Sequence, residues 1–266
     1  MAVRTIFAMA EDCTKGVRLG WFEFVRDYGD IGGQLIRRYF ATLAPEVEHH
    51  LPAVFLRARA EHNAWFSRLR FSNEREFGMS FRELVFAYGR EAAPSPDAKV
   101  SLDHLRQMFA DLPMVERAMI WMFVKGYTPE EISPILMNAE ATALATRKLS
   151  EERLAKIVPG TGADALHGSV GPLLAAAEKT NNEQCLSLKT FNNIVNGQIT
   201  WREREVAEEH IRDCFNCLDR FTSFQETIRL RKDAQPLPEK EVERILAQLD
   251  LPTEKKGLLG KLFARG

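Results

Sequence analysis

Apolar residues along this chain recur at three- and four-residue spacings. No stretch of useful length alternates apolar with polar, so the pattern predicts helices throughout and no sheet. Trp21, Phe24, Val25 and Tyr28 set the first stripe. Gly32-Gly33 weakens or kinks it, and Ile36, Tyr39, Phe40 and Leu43 resume it. Pro52 fits the first turn of a second helical stretch, followed by Val54, Phe55, Ala58, Trp65, Phe66 and Leu69. Phe81, Leu84, Val85 and Tyr88 mark a third. Residues 1–91 therefore read as one helical domain, closed by a boundary at Ala92–Asp97 where two prolines stand among small and polar residues.

Residues 101–157 predict a second unit. Ser101 is an N-cap candidate, Val115, Met119, Met122 and Phe123 form one face, and Gly126 ends that helix. Thr128-Pro129-Glu130-Glu131 reads as a helix start, with a cap, a proline at the first position and carboxylates at the positive end of the dipole. Glu131 stands where it completes a capping box. A brief turn at Met137-Asn138 leads into a longer helix, which gives a helix-turn-helix shape or, more plainly, a three-helix bundle. Residues 158–179 include a Gly- and Pro-rich run and read as a flexible link. In 233–266, Val242, Ile245, Leu246 and Leu249 give a short amphipathic helix. A tail that is basic and apolar by turns follows, readable as a frayed terminus or as a surface for a membrane or partner.

Between these lie residues 180–232, which carry the chemistry. Cys185, His210, Cys214 and Cys217 fall in the pattern C-x24-H-x3-C-x2-C. Residues four apart on a helix leave the same face, so His210 and Cys214 converge, and Cys217 follows at the spacing of a zinc knuckle. Three thiolates and one imidazole close the tetrahedral sphere that zinc prefers. No position is left for water, so the site reads as structural, with one Zn2+ per chain. The alternative is a C-x-x-C thiol pair with unrelated His210 and Cys185. Cys13 is left over, an arithmetic that suits a metal site in a reducing cytosol rather than a disulfide framework.

At 266 residues the chain has room for two or three small domains. Its 45% hydrophobic and 27% charged content is that of an ordinary globular protein, and its net charge of −1 gives no polycationic signature. No run is long and apolar enough to cross a membrane, and the N-terminus is too short and too soon acidic for a secretory signal, so a cytoplasmic location is expected. No phosphate loop, H-E-x-x-H or nucleophile elbow is present, so an enzyme is not expected. His49, His50 and His62 read as solvated helix residues rather than a second metal site.

The Cys, the helical spacer with its turn at Asn196-Gly197, and the H-x3-C-x2-C end resemble the zinc-binding anti-sigma domain of bacteria, over residues 180–232. Leu112-Pro113, Arg117, Gly126-Tyr127 and Glu131-Ile132 resemble the promoter-binding C-terminal domain of a bacterial extracytoplasmic-function sigma factor. The first helical domain is similar to that family's polymerase-binding domain. The resemblance implies two sigma-factor-like helical domains, the second a helix-turn-helix, fused to an anti-sigma-like zinc module. It further implies RNA polymerase core and promoter DNA as partners, with an intramolecular sigma/anti-sigma contact that holds the protein in check in cis. Thr142, Thr146, Arg147 and Lys148 become the candidate DNA contacts. The sequence departs from the family at Pro134, at Glu48-His49-His50-Leu51-Pro52 and in the nearly neutral start of the recognition helix. Those departures keep a second reading open, a degenerate sigma-like scaffold that binds no DNA. Leu188, Phe191, Ile194 and Phe221 offer more apolar surface than so small a module buries alone, so a docking face on the sigma-like domains is expected.

Overall fold

A computed structural model describes residues 4–94, 98–161 and 164–251. The prolines of the first boundary fall partly, and the tail beyond Leu251 wholly, outside the described residues. All regular elements among the described residues are helical, with no strand. The chain forms two compact units, one of Met1–Ile36, Pro45–Tyr88 and Ala234–Gly266, the other of Arg37–Ala44 and Gly89–Asp233.

The first unit opens with α1 (Ile6–Lys15), which lies ahead of the apolar stripe at Trp21–Tyr28. Thr5 caps its start by accepting from the Ala8 amide at 3.2 Å, and Gly16 ends it in the left-handed region at φ 73°. α2 (Arg18–Tyr39) runs unbroken through Gly32-Gly33, contrary to the expected kink. A Cβ on Gly32 would stand 2.9 Å from Leu51 Cδ1, so this glycine serves close packing rather than a bend. Phe24 of α2 is the centre of an aromatic core, with Phe55 and Phe66 of α3 (Val47–Arg68) and Phe81 of α4 (Glu74–Ala92) at 5.1–5.5 Å between ring centroids.

Two local departures from expectation have clear causes. α3 starts at Val47, so Pro52 lies in its second turn rather than its first. Proline cannot donate to the Glu48 carbonyl one turn back, and Arg244 Nη2 reaches that oxygen at 3.4 Å instead. Farther along, Glu61, His62 and Asn63 are all left-handed, which breaks α3 into two segments. Such backbone costs roughly 1–2 kcal/mol per residue outside glycine. Buried Asn63 holds it, donating to Thr14 O at 3.1 Å and accepting from Arg59 at 3.0 Å.

The C-terminal segment closes this unit as a strap. The Leu237 amide donates to Arg26 O at 2.9 Å, Arg18 pairs with Glu243, and the helix Glu239–Leu246 buries Val242, Ile245 and Leu246. Gly29 makes this possible, since a Cβ there would stand 2.1 Å from Leu237 Cδ1.

In the second unit, α5 (Leu102–Phe109) has Ser101 as its cap in a reciprocal box with His104. α6 (Met114–Val124) and α7 (Pro129–Leu136) are joined through Gly126 at φ 80°, and the Thr128–Glu131 capping box forms. α8 (Glu140–Ile157) follows the turn at Met137. Met119, Met122, Phe123, Tyr127, Ile132, Ile135 and Ala143 make the shared core of α6, α7 and α8. The stretch 158–179, expected as a flexible link, instead carries α9 (Asp164–Gly168) and α10 (Val170–Glu178). Val170, Leu173, Leu174 and Ala177 are buried, and α10 packs on α5 and on α13. The glycines there interrupt the text of the sequence but not its apolar spacing.

α11 (Leu188–Val195), α12 (Trp201–Asp213) and α13 (Phe215–Asp233) complete the unit. α13 packs on α6, α7, α10 and α11, and α12 packs on α6. Phe215 stacks near Phe109 and Trp121 at 5.6 and 5.7 Å. Beneath it Lys125, with no exposed side-chain surface, sits 2.9 Å from Asp219 and donates to Thr222 and Ser223 at 2.8 Å each. Glu226 is fully buried and accepts from Tyr39 at 2.6 Å and from Tyr127. Arg38 lies 3.7 Å over the Tyr127 ring and pairs with Glu131 at 2.7 Å.

Candidate metal centre

Three of the four sequence-predicted ligands come from one helix junction. Thr200 starts α12 by accepting from the Glu203 amide at 3.3 Å, while the Glu203 carboxylate accepts from the Thr200 amide at 2.9 Å. The Thr200 hydroxyl and amide hold the Glu203 carboxyl below the usual carboxylate range. α12 ends at Asp213 and α13 begins at Phe215, with Cys214 in extended backbone between them. His210 thus leaves the last turn of α12, Cys214 the corner, and Cys217 the first turn of α13.

Cys185 comes from the loop before α11. That loop is fastened to α13 independently of the sulfurs. Arg220 donates to Leu186 O at 2.9 Å, and the Asn216 amide donates to Thr180 Oγ1 at 3.1 Å. The ligand atoms of Cys185, His210, Cys214 and Cys217 all lie within 4.8 Å of one another. The Cys185 and Cys214 sulfurs are 3.7 Å apart, and His210 Nε2 is 3.2 Å from the Cys217 sulfur. Donors about 2.3 Å from a tetrahedral ion stand about 3.8 Å apart along each edge, so the sulfur pair already has that spacing. Together the four side chains can hold one metal ion, and the set is compatible with zinc.

Hydrogen-bond donors converge on two of the sulfurs. The Asn182 amide and Asn216 Nδ2 donate to the Cys185 sulfur at 3.3 and 3.4 Å, and the Leu186 amide donates to the Cys217 sulfur at 3.3 Å. Burial works against the Cys185 thiolate, but the bonds from Asn182 and Asn216 prevail and hold its thiol below the ordinary value. Cys217 is deeper, and burial pushes it up to about 12. These supporting donors escaped the sequence reading. Asn216, lying between the two cysteines of the knuckle, was the visible signal. Cys13 is buried in the other unit, where burial raises its thiol.

The DNA candidates on α8 fare differently. Thr146 is 3% exposed and faces the core, which corrects its assignment as a DNA contact. Arg147 pairs with Glu151 at 3.1 Å, Thr142 is half-buried and Lys148 is exposed. Met137, at the turn between α7 and α8, and Leu144, on α8, are 76% and 49% exposed.

Searches of known protein families, of curated proteins and of solved structures find no match to this chain. Among the described residues no helix is long and apolar enough to cross a membrane.

Proposed function

We propose that this protein is a transcription regulator in which a zinc-pinned helical hairpin is held in cis against a helix-turn-helix pair. In this reading α6, α7 and α8 belong to the sigma-like, polymerase-directed part, and α11 to α13 are the anti-sigma-like module with one structural Zn2+ on Cys185, His210, Cys214 and Cys217. The observation that carries it is the seat of the hairpin. α12 and α13 lie on α6 and α7, joined by Arg117 donating to Arg212 O at 2.7 Å and by the Lys125–Asp219 pair. A tethered contact acts at an effective concentration on the order of millimolar, so even a modest interface stays closed. The zinc is structural, the protein is not an enzyme, and its place of action is the cytoplasm.

The test is binding of full-length protein to purified RNA polymerase core. Asp219→Asn, which weakens the seat without emptying it, should bind core more tightly than the wild type. Equal binding removes the cis restraint. A second reading, the scaffold without DNA binding, is favoured by buried Thr146 and by the Arg147–Glu151 pair. Absence of core and promoter binding in both proteins would establish it over the first.

A further inference from the structure

An open groove of about 970 Å³ runs along the outer side of α12, against the turn between α5 and α6. Its apolar part is Leu112, Pro113, Met114 and the ring of Trp201. Trp201 is 77% exposed, the most exposed of the large apolar residues described. It is the first residue of α12, and the Thr200–Glu203 capping box fixes the helix there, so the ring stands on a rigid base. A tryptophan so placed forgoes a large hydrophobic gain unless another surface covers it.

The charges of the groove point to what covers it. Asp111, Glu205, Glu208 and Glu209 face Arg117, Arg204 and Arg212. The three guanidiniums are already engaged. Arg117 is nearly buried and donates to two carbonyls, Leu112 O at 2.9 Å and Arg212 O at 2.7 Å. Arg204 pairs with Glu208 at 2.7 Å, and Arg212 with Asp213 at 3.2 Å. Asp111 and Glu205 have no hydrogen-bond or ion-pair partner among the described residues and are exposed. Asp111 acts on the Arg117 charge through space, but neither carboxylate is hydrogen-bonded, and exposed carboxylates beside an exposed indole suit a cation carried on an apolar stem, because the ring face attracts the cation and the carboxylates pair with it. The same carboxylates repel nucleic acid.

We propose that this groove docks a basic segment of a protein partner, one that presents Arg or Lys next to apolar side chains, with Trp201 as the anchor and Asp111 and Glu205 as the charge-reading residues. The surface lies on the metal-pinned hairpin itself, so such a partner would act on the hairpin from outside. The inference does not depend on polymerase binding and stands or falls separately.

The probe is a fluorescent amphipathic peptide of arginine and leucine, titrated by anisotropy into zinc-loaded full-length protein, beside a glutamate–leucine peptide of the same length. The arginine peptide should bind and the glutamate peptide should not. Trp201→Ala should weaken binding about tenfold, as loss of a central aromatic anchor does. Asp111→Asn with Glu205→Gln should weaken it severalfold and flatten its salt dependence. Glu152→Gln, the same charge change on the exposed side of α8, should leave it unchanged. All these positions are exposed, so unaltered circular dichroism and melting are expected of each variant. Equal affinity for the two peptides, or full affinity in Trp201→Ala, would overturn the proposal. A self-association of the wild type abolished by Trp201→Ala would also overturn it, by making a second copy the occupant.

Discussion

The buried pair of Lys125 and Asp219 makes an asymmetric prediction. Lys125 has no exposed side-chain surface, and Asp219 retains 18%. Asp219→Ala would leave an ammonium in the core without its carboxylate, beside the Thr222 and Ser223 hydroxyls and a carbonyl at 3.4 Å. It would also take the acceptor from Trp121 Nε1, now 3.0 Å from the carboxylate. Breaking a buried pair from one side typically costs 3–5 kcal/mol, and the orphaned indole adds about 1 kcal/mol. The two remaining hydroxyls and the partial exposure of Asp219 place the sum near the lower end, about 3–4 kcal/mol. Lys125→Met is different. It removes the desolvated charge, fills a similar volume, and leaves Asp219 with Trp121, Ser223 at 3.3 Å and water. Its cost should be about 0–2 kcal/mol. Urea unfolding of the zinc-loaded protein measures both. Moreover, Lys125→Met should partly rescue Asp219→Ala, because it deletes the stranded charge. If Lys125→Met costs as much as Asp219→Ala, or the double variant is no better than Asp219→Ala, the pair is not what the burial implies.

Other outcomes follow from single features. Purified protein should carry one zinc per chain, Cys214→Ser and Cys217→Ser should lose it, and Cys13→Ser should keep it, all by metal analysis. Gly29→Ala would push a methyl into Leu237, so the strap over residues 234–251 should become sensitive to limited proteolysis while α12 and α13 keep their resistance. The Glu203 carboxyl is depressed in the folded chain, so its contribution to α12 is complete above the ordinary carboxylate pKa and is lost as pH falls through the lowered value. Glu203→Gln should therefore flatten the acid limb of the stability profile, read by thermal melts across pH.

The pattern of the sequence was legible where local chemistry decides structure. The caps at Ser101 and Thr128 formed as read, because a hydroxyl three residues before an amide needs nothing distant to bond. The four metal-ligand residues converge because three of them are within eight positions of one another and the fourth is a soft ligand with no competing use. The failures are tertiary. Gly32 has the low helix propensity of a weak point, but its missing side chain makes room for Leu51. Pro52 suits a first helical turn by local rules, but Arg244, nearly two hundred positions away, reaches the carbonyl it frees. Thr146 looked like a polar candidate on a recognition helix, and only the packing of α8 shows it facing inward. The glycines of 158–179 suggest a flexible link, whereas Val170, Leu173, Leu174 and Ala177 keep a helical period across them.

The metal and the polar core hold different things, and this separates two ways of opening the second unit. A metal ion held by the four residues would join the loop bearing Cys185 to the α12–α13 junction bearing His210, Cys214 and Cys217. A structural zinc contributes on the order of 10 kcal/mol, but only to the segments it connects. The seat of α13 on α6 and α7 depends on Phe215, Lys125–Asp219 and the tyrosines on Glu226, none of them a ligand, and Glu226 lies more than two turns beyond Cys217. Chelation should therefore speed amide exchange in residues 180–200 and around the junction, while α6 and α13 beyond Leu218 stay protected. A rise spread evenly over residues 101–233 would show that the metal holds the whole unit. If the expected split is found, loss of zinc alone does not free the helix-turn-helix pair, and a releasing event has to act on α13 itself.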